Sequence, residues 1–193
     1  IDAVLGVPCE VIVAVYDYDS AGTVIDAADR TDTDLVVAPF EYRKGTIPEY
    51  VRHLFATELD VVAFRGYRDH DTWNRILVTV DRPGDLANAM MDYAGRLTGE
   101  VGTVSACTCI GEERERRTAE RMLEHVIDVT DVRCETRISR SSFDSYLGRT
   151  ADQYDLVMLG ASRDRSAASR VLRSPTYERA ASIETDLAIV HHG

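Results

Sequence analysis

Residues 155–193 carry the side chains from which an anion site can be built. Asp155-Leu156-Val157-Met158-Leu159-Gly160 reads as a buried strand. It is followed by a polar loop rich in Ser and Arg, a helix ending near Ala181, and a second strand over Asp186-Leu187-Ala188-Ile189-Val190. In open α/β sheets, ligands sit at the carboxyl ends of the strands, where loop amides and the next helix N-terminus bind anions. A phosphate cradle of this kind wants glycines, and the loop has Arg163 and Arg173 instead. With Arg165 and Arg170 they form a cluster able to hold phosphate by bidentate hydrogen bonds. One reading is an anion pocket rebuilt from side chains. The other, which we favour, is guanidinium groups that are solvated or paired with surface carboxylates, because exposed pairs of this kind are common.

Other chemistry has less to stand on. The chain has no G-x-S-x-G, no H-E-x-x-H and no G-x-x-x-x-G-K-[ST]. Asp144, Ser145 and His125 supply the residue types of a hydrolytic triad, but they fall on separate elements. Ser141-Ser142-Phe143-Asp144 reads as a helix N-cap rather than a nucleophile site. No catalytic residue is therefore assigned. Cys9, Cys107, Cys109 and Cys134 lack C-x-x-C spacing and read as reduced packing residues. Cys107 and Cys109 lie two apart in a strand and so share a face, where core burial is the expected role. His191 and His192 alternate across a strand and cannot readily ligate together, so no metal site is expected.

Hydrophobic periodicity orders the elements that would position these groups. Strands are expected over Arg75 to Val80, Val101 to Ile110, Val132 to Ile138, Leu156 to Leu159 and Leu187 to Val190. Helices are expected over Ala87 to Leu97, Glu112 to Ile127, Phe143 to Ala151 and Arg170 to Ala181. Alternation at this spacing implies a parallel sheet with right-handed crossovers. Upstream, Val11 to Val15 reads as a strand and Ala21 to Asp29 as a helix. Asp34-Leu35-Val36-Val37-Ala38 parallels Asp155 to Leu159, and Glu58 to Phe64 parallels Glu184 to Val190. This is an internal repeat. We divide the chain into 1–70, a truncated copy short of strands, and 71–193, a complete unit, joined by a short polar linker over Gly66 to Asp71.

The net charge of −11 opposes nucleic-acid binding, which needs clustered cations to neutralise phosphates. With 193 residues, 45% of them hydrophobic, the chain is long enough to bury a normal core. It contains no long apolar run and no signal-peptide pattern, so we expect a soluble, cytoplasmic unit. Lys44 stands alone against 21 arginines, and Asp outnumbers Glu by 20 to 13. This resembles the proteins of salt-loving microbes, in which a Debye length of about 3 Å at 1 M salt makes dense carboxylates tolerable. A GC-rich genome that favours Arg codons is the alternative. The start at Ile1-Asp2, directly before a strand-like run, reads as a piece of a longer protein.

These residues resemble the universal stress protein family. The likeness covers Trp73 to Gly193 well and Val11 to Gly66 in part. Val78-Thr79-Val80-Asp81 matches the family's first-strand motif, whose Asp contacts the adenosine of bound ATP. The family's loop of Gly, two residues, Gly, nine residues, Gly and Ser or Thr falls on Gly160, Arg163, Arg173 and Ser174. Two of the three glycines are thus replaced, and Pro175 removes a further backbone donor. In the first copy Pro39 stands where the first glycine belongs, and Gly45-Thr46-Ile47-Pro48-Glu49-Tyr50 resembles the helix start that follows the loop. The shortened loop leaves that copy a structural role.

The resemblance implies an α/β fold: an open, mostly parallel five-stranded sheet of the adenine nucleotide alpha-hydrolase-like type, preceded by the truncated repeat. It also implies self-association or intramolecular pairing through the terminal strands, Val61 to Phe64 and Leu187 to Val190. As family members occur as cytosolic tails of amino-acid permeases and ion antiporters, a membrane transporter domain in the parent chain is a further expectation. We expect a non-enzymatic regulatory or interaction module with no cofactor. The alternative is an ATP-binding stress-response switch using Asp81, Gly160, Arg163, Arg173 and Ser174.

Overall fold

The computed structural model describes residues 11, 13–14, 19–41, 47–67, 72–98, 101–128, 133–161 and 184–193. In chain order the elements are α1 (Ser20–Arg30), β1 (Leu35–Pro39), α2 (Glu49–Leu54), β2 (Asp60–Arg65), β3 (Arg75–Thr79), α3 (Asp85–Thr98), β4 (Thr103–Cys109), α4 (Arg116–Ile127), β5 (Cys134–Ser139), α5 (Phe143–Thr150), β6 (Leu156–Gly160) and β7 (Asp186–His191). Single turns of 3₁₀ helix, Glu113–Glu115 and Ala151–Gln153, precede α4 and follow α5.

The strands form one seven-stranded sheet in the order β1-β2-β7-β6-β3-β4-β5. Every neighbouring pair is parallel except β2 and β7, which run antiparallel. The five strands expected from residue 75 onward are all present, and the sheet is mostly parallel. It is two strands wider than five because β1 and β2 join it through that antiparallel seam. Of the strand expected over Val11 to Val15, the described residues Val11, Val13 and Ala14 are exposed and belong to no strand. An apolar β-prone run becomes a strand only against a ladder partner. The helix expected over Arg170 to Ala181 lies outside the described residues.

Both faces of the sheet are covered. Ile76, Val78, Val104, Ala106, Leu156 and Met158 point to one side, where Met90 and Met91 of α3 and Leu123 and Val126 of α4 close over them. Leu77, Val157, Leu187 and Ile189 point to the other, beneath Val51 of α2 and Leu147 of α5. The period-two alternation that separates these sets is the reason a central parallel strand reads as a continuous apolar run. Ala21, Ala38, Leu54 and Val61 make a smaller cluster under α1.

The seam between β2 and β7 follows a local two-fold pattern. In β1·β2, Leu35 lies opposite Asp60, and in β6·β7, Leu156 lies opposite Asp186, so the parallel stretches are in equivalent register. Across the seam Ala63, the fourth residue of β2, pairs with Ile189, the fourth residue of β7. The polar contacts repeat in the same way. Tyr67 donates its amide to Asp186 Oδ1 at 2.7 Å, and Gly193 donates its amide to Asp60 Oδ1 at 2.9 Å. Each Asp begins one strand and receives the chain leaving the other. Trp73 Nε1 also donates to Asp186 Oδ2 at 2.7 Å, and its ring meets Phe64 edge-on with centroids 5.8 Å apart. Asp60 Oδ2 accepts from the Tyr93 hydroxyl at 2.7 Å, and His192 Nδ1 lies 2.8 Å from Oδ1. His191 is buried, stacks on Phe55 at 5.7 Å, and lies 3.1 Å from the Thr57 carbonyl through Nε2.

Two predictions follow from the seam. Asp186 is 1% exposed and holds two donors, so Asp186→Ala leaves both without an acceptor. At about 1–3 kcal/mol for each donor stranded in the interior, and with Trp73 partly buried, the expected loss is roughly 2–4 kcal/mol. Urea unfolding followed by fluorescence of Trp73, the single tryptophan, reads it directly. For Asp60, burial pushes the carboxyl up, but the Tyr93 hydroxyl, the Gly193 amide and His192 together outweigh it and hold the group below its ordinary value. A depressed folded value means that the stabilisation is complete above the ordinary carboxylate range and is lost as pH falls through the lowered value. Asp60→Asn should flatten the fall in urea midpoint between about pH 6 and pH 3. An unchanged acid limb would remove Asp60 from this role.

Candidate functional site

The strand order reverses between β3 and β6: from β3 the chain proceeds to β4 on one side, and from β6 to β7 on the other. A crevice at such a reversal, outside the carboxyl ends of the strands, is where open α/β sheets bind ligands. Asp81 and Gly160 come together there, because Val78 pairs with Met158 and each residue lies just beyond that rung. The Thr79 hydroxyl donates to the Met158 carbonyl at 3.1 Å and ties the two strand ends. Val80 N–H donates to the Cys107 carbonyl at 2.8 Å, and Ala161 N–H to the Val190 carbonyl at 2.7 Å, carrying both ladders to the rim.

Asp81 is exposed and opens the turn into α3. Gly84 takes φ +146° in that turn, a backbone conformation that a side chain rarely adopts. Its carbonyl accepts from Asn88 N–H at 3.1 Å, so the turn leads directly into the helix. Gly160 has a different reason to be glycine. A Cβ there would lie 3.0 Å from Leu86 Cδ2 and 3.3 Å from Met90 Cε, so its bareness lets α3 sit tightly on β6. Arg163, Arg173 and Ser174, together with Arg165 and Arg170, lie outside the described residues. Of the five residues assigned to a nucleotide site, Asp81 and Gly160 are therefore the two that the structure positions.

The triad residue types are kept apart. His125 is exposed on α4, which covers the Ile76/Val78 face, whereas Asp144 and Ser145 belong to α5 on the Leu77 face. Ser142 is the N-cap of α5, its hydroxyl oxygen accepting from Ser145 N–H at 3.4 Å. Among the described residues no group of His, Cys, Asp and Glu is arranged to hold a metal ion, and no helix is long and apolar enough to cross a membrane.

Sequence reasoning passed over one cluster beside the reversal. Cys107 and Cys109 lie on the α5 side of β4. Thr79 pairs with Cys107 and Cys109 with Ser139, which brings Asp81 next to Cys109 on one flank and Ser139 on the other. Cys107 is buried and bonds both Cys109 and the Tyr146 hydroxyl, while Cys109 is half-buried. Arg149 donates from Nη2 to Ser141 Oγ at 2.8 Å, and Ser141 is 2.6 Å from Ser139 Oγ. The Cys107 thiol donates to the Cys109 sulfur and holds the Cys109 value below that of an ordinary thiol, against burial; Arg149 adds to this effect. Cys107 is pushed up, first by donating to Cys109 and then by burial. The i, i+2 spacing of the cysteines and the i, i+3 spacing of Tyr146 and Arg149 were visible, but their meeting across two elements was not.

No protein-family model matches the chain, and no curated protein does. Solved structures do match in fold. A universal stress protein from Archaeoglobus fulgidus DSM 4304 superposes with a TM-score of 0.59 at 15% identity, covering 90% of this chain and 65% of that one. A protein of unknown function from Pseudomonas aeruginosa PAO1 gives 0.55 at 15% identity, over 88% of this chain and 66% of that one. A shorter universal stress protein from Archaeoglobus fulgidus gives 0.50 at 13% identity, over 62% of this chain and 94% of that one. At these identities the likeness is one of fold, and this chain spans about two thirds of the longer structures.

Gly160→Ala tests the packing account. The added methyl must displace Leu86 and Met90 by a few tenths of an ångström, and overpacking of this kind costs about 1–3 kcal/mol. Because both contacts are the ends of flexible side chains, about 1 kcal/mol is expected in urea unfolding. A neutral effect would mean that α3 does not press on β6.

Proposed function

We propose that the chain is a non-enzymatic regulatory or interaction module of the universal stress protein type, a degenerate tandem unit whose first copy is truncated. The observation that carries this reading is the β2·β7 seam, with Ala63 facing its counterpart Ile189 and with Asp60 and Asp186 holding reciprocal amides. Two equivalent strand ends joined by a local two-fold pattern are what a pair of such units would build between chains. Here the pairing is intramolecular and occupies the edge that a second chain would use. Asp-rich composition and near absence of lysine support an origin in a salt-loving microbe. The resemblance supports a place as the cytosolic C-terminal domain of a membrane transporter, an amino-acid permease or cation antiporter. Nucleic acid is not a partner of so acidic a chain.

A second reading rests on Asp81, which stands exposed at the strand-order reversal beside Gly160. In that reading the site takes ATP, with Arg163, Arg173 and Ser174 about its phosphates. Against it, the contacts of Gly160 with Leu86 and Met90 account for that glycine without a ligand.

Isothermal titration with Mg-ATP, AMP and cyclic dinucleotides in molar KCl separates the two. The expected result is no binding heat for any of them. Micromolar ATP affinity that disappears in Asp81→Ala would replace the interaction module with a nucleotide switch.

A further inference from the structure

We propose that Cys109 is a peroxide-reactive thiol and that Cys107 resolves it, the pair closing a reversible disulfide within β4. The placement argues for it. Cys109 is the last residue of β4 and half-buried, at the carboxyl rim of the sheet where small solutes reach the strand ends. Its counterpart on the same face, Cys107, is 1% exposed and therefore shielded from direct attack. One cysteine is half-buried while the other lies fully behind it, and the thiols are already in hydrogen-bond contact. The Cys107 thiol and the Arg149 guanidinium, steadied by Ser141, favour charge on the outer sulfur against burial and the Asp81 carboxylate, while the Tyr146 hydroxyl bonds the inner one. A half-exposed thiol in such a surround is the kind that oxidises selectively, and a neighbouring thiol is what makes the oxidation reversible.

The chemistry balances with hydrogen peroxide as the oxidant. The Cys109 thiolate attacks one peroxide oxygen. The O–O bond breaks, and the departing hydroxide takes a proton to leave as water. Cys109 is now a sulfenic acid. Cys107 loses its proton and attacks the Cys109 sulfur, the S–S bond forms, the S–O bond breaks, and hydroxide leaves with a proton as a second water. Two thiols are oxidised by two electrons, and one peroxide is reduced.

The bridge would not sit comfortably in a strand. At a rise of about 3.3 Å per residue, alternate Cα atoms are roughly 6.6 Å apart, near the upper limit of about 6.8 Å for disulfides. Closing it must buckle the end of β4, and strained bridges are the easily reduced, regulatory ones. The backbone there is bound on both sides: the Cys107 carbonyl accepts from Val80, and Ile110 N–H donates to the Ser139 carbonyl at 2.8 Å. Buckling therefore pulls on the residue before Asp81 and connects oxidation to the strand-order reversal.

Peptide mass spectrometry of the full chain treated with hydrogen peroxide is the test. The expected product is an intramolecular Cys107–Cys109 bridge that forms before Cys134 is modified and is removed by dithiothreitol. Cys107→Ala should stop the reaction at a sulfenic acid on Cys109 that dimedone traps. Cys109→Ser should leave Cys107 a free thiol. Should Cys107→Ala not fold, dimedone added together with peroxide to the parent chain intercepts the same intermediate. Failure to trap Cys109, prior oxidation of Cys134, or a bridge to another cysteine or a second chain would overturn the proposal.

Discussion

The antiparallel pairing of β2 with β7 is the interaction on which the rest of the architecture depends. A parallel strand needs a crossover connection to reach its neighbour, and β1 and β2 lack the strands that would make them an independent sheet. Two short parallel strands under two helices bury too little to fold alone. Laying β2 against β7 provides a ladder partner and a shared core in one step. The direction is fixed by the carboxylates at its two ends. Asp60 and Asp186 each begin a strand and each receive the amide of the chain leaving the other. A parallel arrangement would place both carboxylates at the same end and leave those amides unpaired.

That seam also explains how the two faces are assigned. Once Ala63 meets Ile189, the alternation along both strands is set. Val62 and Phe64 must then face α3, while Val61 and Ala63 face the α2 side. A slip by one residue would exchange these sets. The polar contacts that guard against the slip are unequal. Asp186 is buried and serves two donors from the linker region. Asp60 is partly open and shares its charge with Tyr93 and His192. Burial of Tyr93, reinforced by the Asp60 carboxylate, pushes its hydroxyl up, so it remains a donor throughout the physiological range.

The carboxyl rim combines two kinds of residue that look alike in a sequence. Gly160 sits where a ligand-binding glycine would be expected, but its contacts with Leu86 and Met90 make it a helix-packing residue. Asp81 is free of such contacts and available to solvent. A few ångströms of sheet width away, the β4 thiols and the Tyr146 and Arg149 side chains of α5 form a polar spot at the margin of the core beneath α5, of which Cys107 is part. Asp81, Gly160 and the thiols stand at or just beyond the ends of the adjacent strands β3, β6 and β4, which the Thr79 hydroxyl and the Val80 amide tie together at the rim.

Residue order by itself determined the strands from residue 75 onward and α3, α4 and α5. Periods of two and 3.6 residues are local properties that any window of the chain displays. The N-cap role of Ser142 was legible for the same reason. Tertiary structure alone decided which amide each carboxylate receives, since Tyr67 and Asp186, or Gly193 and Asp60, are far apart along the chain and only the seam brings them together. It also decided that Gly160 packs against α3, that His125 and Ser145 stand on opposite faces, and that the Arg149 charge acts on Cys109. Val11, Val13 and Ala14, the described residues of the run at Val11 to Val15, show the converse: strand propensity was plain in the residues, but a strand also needs a neighbour, and that is a property of the fold.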